Sequence, residues 1–105
     1  MRVLRRYEIL VPLLFNNGEP VPEELLSLTL KELRLQFGAT SWETQTVQGL
    51  WEHEGTTYRD NLTRFFVDVP DIPANRLFFE NLKIRLKERF RQLEIWITSY
   101  QIEVI

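Results

Sequence analysis

The sequence predicts one α+β domain of the ferredoxin-like kind, a βαββαβ sandwich with a four-stranded antiparallel sheet and two helices on one face. Three observations lead there. Stretches rich in strand formers alternate with two stretches striped at helical spacing, in the order strand, helix, strand, strand, helix, strand. Each helical stretch lies between strands, as a split βαβ arrangement requires. The length, 105 residues, holds one hydrophobic core and leaves no room for a second, so residues 1–105 form a single domain.

The first strand is read over Tyr7 to Phe15, an almost wholly apolar run closed by the turn signal Asn16-Asn17-Gly18. Alternation makes it apolar on both faces, which suits a central strand. Pro12 cannot donate to a ladder, so a bulge or an unpaired position is expected there. Helix one should begin near Pro22, where proline fits the first turn and Glu23 and Glu24 complement the helix N-terminus. Leu26, Leu30, Leu33 and Phe37 form its buried stripe, and Gly38 is placed to cap it.

Ser41 to Glu52 alternates as strand two, with Trp42, Thr44, Thr46, Gln48 and Leu50 on one face and Glu43, Gln45, Val47, Gly49 and Trp51 on the other. Glu52-His53-Glu54-Gly55 reads as a hairpin turn with glycine at positive φ. Strand three follows from about Thr57 to Val69, its apolar character interrupted by Arg59-Asp60-Asn61. Asn75 is the expected N-cap of a second helix running to about Arg91, with Phe79, Leu82, Leu86 and Phe90 as its stripe and Phe78 beside them. Leu93 to Ile105, rich in β-branched and aromatic residues, is strand four.

With both helices on one face, the other sheet face has nothing in the chain to cover it. Trp96, Tyr100, Ile102 and Val104 share one parity of the last strand. The expectation is a homodimer packed through the open sheet face, with a ligand cleft beside it.

Apolar residues make up 44% and charged residues 27%, the balance of a folded globular domain rather than a disordered one. A net charge of -2 argues against bulk attraction to nucleic acid or anionic membrane. No apolar run approaches the roughly 20 residues of a membrane span, and no signal-peptide pattern is read at the start, so a cytoplasmic protein is expected. Without cysteine there are no disulfides, thiolate ligands or cysteine nucleophiles. The sequence carries no glycine-rich phosphate loop, nucleophile elbow or paired-aspartate motif, and no cofactor is predicted.

Gly49-Leu-Trp51, Gly55-Thr-Thr-Tyr-Arg59-Asp60 and Lys87-Glu-Arg89-Phe90-Arg-Gln92 together carry a resemblance. From about Phe37 onward the chain resembles a family of small domains of unknown function. Their pattern is a G-x-W motif, a short hairpin ending in glycine, an arginine-acid pair and a basic-Arg-Phe-x-Gln helix end. Many of those relatives are exported and carry a tryptophan in the first helix, where this chain is leucine-rich. The resemblance implies the fold rather than an activity.

The densest set of chemically capable side chains surrounds the central hairpin. Trp51, Tyr58, Arg59, Asp60 and His53 are the candidate ligand-binding residues, with Trp51 and Arg59 expected to face one pocket and Arg59 to hold a small anionic ligand. His53, flanked by Glu52 and Glu54, has the chemistry of a general acid or base; the plainer reading is a solvated hairpin tip. One histidine and no cysteine give no metal site. On helix two, Arg76, Lys83, Arg85, Lys87, Arg89 and Arg91 outnumber Glu80 and Glu88, yet a solvated helix face explains them better than a phosphate-binding stripe. The first reading is therefore an oligomeric ligand-binding or regulatory protein. The alternatives are a cofactor-free enzyme with a sheet-face cavity using Arg59 and His53, and a protein or nucleic-acid interaction module.

Overall fold

In the computed structural model, which describes residues 2–105, two helices pack on one face of an open antiparallel sheet of five strands. The strands are β1 (Arg2–Pro12), β2 (Ser41–Trp42), β3 (Val47–His53), β4 (Thr56–Val69) and β5 (Trp96–Val104); the helices are α1 (Glu23–Phe37) and α2 (Pro73–Arg89). Across the sheet the order is β5, β1, β4, and then β2 and β3, which both pair with the far side of β4. The fourteen residues of β4, at about 3.3 Å each, account for the 45 Å long axis of the molecule. Among the described residues no helix is long and apolar enough to cross a membrane.

The core lies between sheet and helices. Tyr7, Ile9 and Val11 of β1 and Phe65, Val67 and Val69 of β4 are buried against Leu33, Phe79, Leu82, Leu86 and Phe90. The Tyr7 ring stacks on Phe79 with 4.0 Å between centroids, and Phe37 lies parallel to Phe79 at 5.4 Å. Thr29 is the fully buried polar residue of α1. Its hydroxyl donates to the Leu25 carbonyl one turn back and accepts from Arg89 Nη1, and among the described residues no buried side-chain polar atom is left unmet.

Several boundaries differ from the sequence reading, each for a physical reason. The first strand runs over Arg2–Pro12 rather than Tyr7–Phe15, and Pro12 ends it instead of bulging it. The Leu13 N–H donates to the Asn61 carbonyl, which aims the odd positions of β1 at β4 and the even ones at β5. The missing N–H of Pro12 therefore points toward β5, whose pairing has already stopped at Trp96 opposite Leu10. Leu14 bridges Pro20 in a tight return that delivers the chain to α1.

Strand two is split. Residues 41–42 and 47–53 pair with β4 in registers two residues apart; the Glu43 N–H still donates to the Arg64 carbonyl, and Thr44 to Thr46 bulge out of the edge. An even slip preserves the alternation of faces, and Glu43, Val47, Gly49 and Trp51 keep the open side. Strand three runs unbroken over Thr56–Val69, within one residue of the reading, with Arg59, Asp60 and Asn61 paired in the β3–β4 hairpin. Helix two starts at Pro73 after Ile72; Asn75 sits inside its first turn, with its amide donating to the Pro70 carbonyl. That helix ends at Arg89, where Arg91 turns at φ 53, and the last strand begins at Trp96 rather than Leu93.

Starting β1 at Arg2 changes the open face. Its even positions are Arg2, Leu4, Arg6, Glu8 and Leu10, and they meet Asp68 and Arg64 on β4 and the uncharged Thr98 and Tyr100 on β5. Arg6 forms two hydrogen bonds to Asp68, at 2.8 and 3.0 Å, and lies 4.5 Å from the centre of the Phe66 ring. Arg64 pairs with Glu8 at 3.3 Å and Glu43 at 2.8 Å, and the Tyr100 hydroxyl donates to Glu8. The middle of this face is thus a hydrogen-bonded charge network closed within the chain, rather than the apolar surface expected to need a cover.

Candidate functional site

β1 stops at Pro12 and β5 begins at Trp96, while β4 runs on into the hairpin with β3. The gap between the hairpin and the α2–β5 connection is a cavity of about 320 Å³ at one end of the open sheet face. Leu10, Pro12 and Leu62 line it with apolar surface and Trp51 and Trp96 with aromatic rings, and Gln92, Glu94 and the buried Ile95 complete the lining. A small site of this size with a few polar groups among apolar walls has the make-up of a ligand pocket.

The hairpin sets the geometry of one wall. Glu54 and Gly55 make a two-residue turn with φ of 49° and 79°, the twist that a tight hairpin requires. That turn fixes Trp51 opposite Tyr58 and Gly49 opposite Asp60. Trp51 stacks on Tyr58 with ring centroids 4.4 Å apart, and its indole Nε1 donates to Asp60 Oδ2 at 2.7 Å. Gly49 keeps the cavity open on this side. A Cβ there would sit 3.6 Å from Leu62 Cδ1, an ordinary contact, so the missing side chain is room rather than necessity.

Across the cavity, Glu94 Oε1 accepts from Lys83 Nζ at 2.9 Å and from the Ile95 N–H at 3.0 Å. The hydrogen bond from Lys83, helped by that N–H, holds the Glu94 carboxyl below its ordinary range. Among the described residues, Asp60 and Glu94 are the charged groups of the lining, and no lysine or arginine joins them.

Of the sequence-derived candidates, the hairpin brings Trp51, Tyr58 and Asp60 together. It separates Arg59 from them. Arg59 pairs with Leu50 on the opposite side of the hairpin and is exposed outside the cavity, because adjacent strand residues point to opposite faces. Trp51 and Arg59 therefore do not face one pocket as expected, and Arg59 is not placed to hold a ligand in this cavity. His53 lies at the hairpin tip, 47% exposed, with Nε2 3.8 Å from Glu54 Oε1, and does not line the cavity. An enzyme built on Arg59 and His53 loses both residues. Among the described residues no three potential metal ligands converge.

The sequence reading missed Leu10, Pro12, Leu62, Gln92, Glu94 and Trp96 as site residues. Leu10 and Trp96 were legible as open-face residues, but only the register that sets them side by side shows that they share a cavity. The helix-two cations are largely committed elsewhere: Arg76 to Glu80, Lys83 to Glu94, and Arg85 and Arg89 to Glu32.

No protein-family model matches the chain, and no curated protein matches it in sequence. In three dimensions it is similar to a phage SAM lyase in complex with S-methyl-5'-thioadenosine. The TM-score is 0.67 at 15% identity, over 96% of this chain and 90% of that one, a likeness of fold.

Proposed function

We propose that this protein binds a small ligand made of a planar heteroaromatic ring and a neutral or cationic sulfur-bearing arm, of the S-methyl-5'-thioadenosine and S-adenosylmethionine class. The observation that carries the reading is the cavity beside the hairpin, walled by Trp51 and Trp96 and lined by Asp60 and by Glu94, whose carboxylate is paired with Lys83. Indole faces offer a purine ring stacking area, and their negative quadrupole together with the Asp60 carboxylate, which is bonded to a neutral indole, favours a sulfonium over an anion. Asp60 is fixed in place by Trp51 Nε1, so the carboxylate is positioned before any ligand arrives. The fold-level likeness to a SAM lyase holding a thioadenosine supports the ligand class by analogy.

The topology also supports a ferredoxin-like classification. Counted as one interrupted edge strand, β2 and β3 reduce the sheet to four strands with two crossing helices.

Calorimetric titration and thermal shift with S-methyl-5'-thioadenosine and with S-adenosylmethionine test the proposal, since a ligand that binds only the folded chain raises its melting temperature. The expected result is saturable binding that Gly49→Val removes by filling the cavity, with the fold retained. No binding of either compound at millimolar concentration would overturn it. Chromatography of the same mixtures shows whether S-adenosylmethionine is consumed.

A further inference from the structure

The two edges of the sheet are built differently. On the β2–β3 side the edge is split and bulged from Thr44 to Thr46, which spoils it as a template for another strand. On the other side β5 presents nine residues, Trp96–Val104, with no proline, no lysine and one charge, Glu103. Even positions of β5 bond inward to β1, by the alternation that the Leu13 to Asn61 hydrogen bond fixes. The N–H and C=O groups of Ile97, Ser99, Gln101 and Glu103 therefore face outward.

We infer that β5 pairs antiparallel with β5 of a second copy of this chain, about a two-fold axis at Tyr100, joining two sheets into one. Outward groups pair with outward groups only in a register that sets odd residues opposite odd ones. The alignment that uses all nine residues sets Ile97 against Glu103, Ser99 against Gln101 and Tyr100 against itself. On the open face it places Trp96, 61% exposed in the single chain, opposite Val104, and Thr98 opposite Ile102. Aromatic and β-branched pairs of this kind stabilise antiparallel sheets, and no like charges meet.

Charge complementarity selects the same partner. A groove beside β5, between it and α2, is lined by Ile97, Ser99, Arg76, Lys83 and Glu80, with the two cations outnumbering the acid. A two-fold axis normal to the sheet keeps helices of both copies on one side. Glu103 of the second copy then enters opposite Ile97, within reach of Arg76 and Lys83. Those cations are 70% and 37% exposed, each already bonded to one carboxylate and open to a second. The interface differs from a sheet-face dimer and leaves the central charge network uncovered.

Sedimentation velocity and light scattering across a concentration series test the pairing. The expected result is a concentration-dependent dimer in which the amides of Ile97, Ser99, Gln101 and Glu103 gain protection from hydrogen exchange as dimer forms. Gln101→Pro removes an outward N–H at the centre of the pairing and should give a folded monomer. Should that variant fail to fold, Glu103→Lys decides, weakening dimerisation about tenfold by facing Arg76 and Lys83 with like charge. A wild-type monomer at every concentration, or a dimer indifferent to Glu103→Lys, would overturn the proposal.

Discussion

Trp51 sits directly opposite Tyr58 in the hairpin but donates diagonally, from Nε1 to Asp60 Oδ2 at 2.7 Å. One indole thus serves two neighbours: its face packs on the Tyr58 ring and its edge holds a carboxylate at the cavity. Diagonal reach of this kind is available to long aromatic side chains across an antiparallel pair.

This bond is expected to be worth about 1–2 kcal/mol, the range for a partly exposed hydrogen bond to a charged group. Asp60→Ala and Trp51→Phe each remove it, and the double variant measures how far their losses overlap. Urea unfolding of the four proteins should return a coupling of about 1 kcal/mol. A coupling near zero would mean that the carboxylate is placed by the strand alone.

The turn below that pair carries a defect that can be repaired. Glu54 adopts φ 49 with a side chain suited to neither of the turn's demands, whereas Gly55 at φ 79 suits its position. Asparagine tolerates the left-handed region far better, and Asn-Gly is the favoured pair for such hairpins. Glu54→Asn should therefore stabilise the protein by about 0.5 kcal/mol, and Gly55→Ala should cost about 1 kcal/mol although open space surrounds that position. Melting temperatures of the two variants should move in opposite directions.

Ion pairs on helix two should differ sharply in worth. Arg89 is 14% exposed, donates to the buried Thr29 hydroxyl at 2.9 Å and pairs with Glu32, which Arg85 also holds. Arg76, 70% exposed, meets Glu80 one turn along its own helix. Arg89→Met should cost about 2–3 kcal/mol, since it breaks a network at the helix interface. Arg76→Met should cost less than about 0.5 kcal/mol. Equal losses in urea unfolding would show that burial does not govern these pairs.

The helices and the core were legible because their signals are local. A stripe at helical spacing, prolines at the entry and Gly38 at the exit place α1 within one residue, and Gly38 takes the left-handed cap with its N–H on the Arg34 carbonyl. The strands were less so, because their ends depend on partners far away in sequence. Arg2 to Arg6 look like a charged leader until Asp68, Asp71 and Ser99 are brought beside them by β4 and β5. The site was legible in part. Trp51, Tyr58 and Asp60 follow from one hairpin, but assigning Arg59 to the same pocket ignored the alternation that sends it to the other face. Glu94 and Gln92 sit in a connection with no motif, and only the early end of β1 makes room for a cavity beneath them.

Acid should weaken the fold through two carboxyls in particular. Hydrogen bonds from Lys83, and then the Ile95 N–H, hold Glu94 below its ordinary range; those from Arg5 and Gln101 do the same for Asp71. A carboxyl whose folded pKa lies below its unfolded value, about 4, binds protons more readily in the unfolded chain. Its contribution is complete above that unfolded value and is lost as pH falls through the folded one. Unfolding free energy should therefore be flat from neutral pH to about 5 and decline below it. Glu94→Gln should shallow the decline, and adding Asp71→Asn should shallow it further. Both carboxyls remain in contact with water, at 49% and 35% side-chain exposure, so each change should be modest and shrink at high salt. Urea midpoints measured between pH 7 and 3 decide the matter: a double variant as acid-sensitive as the wild type would show that Glu94 and Asp71 do not set the acid response.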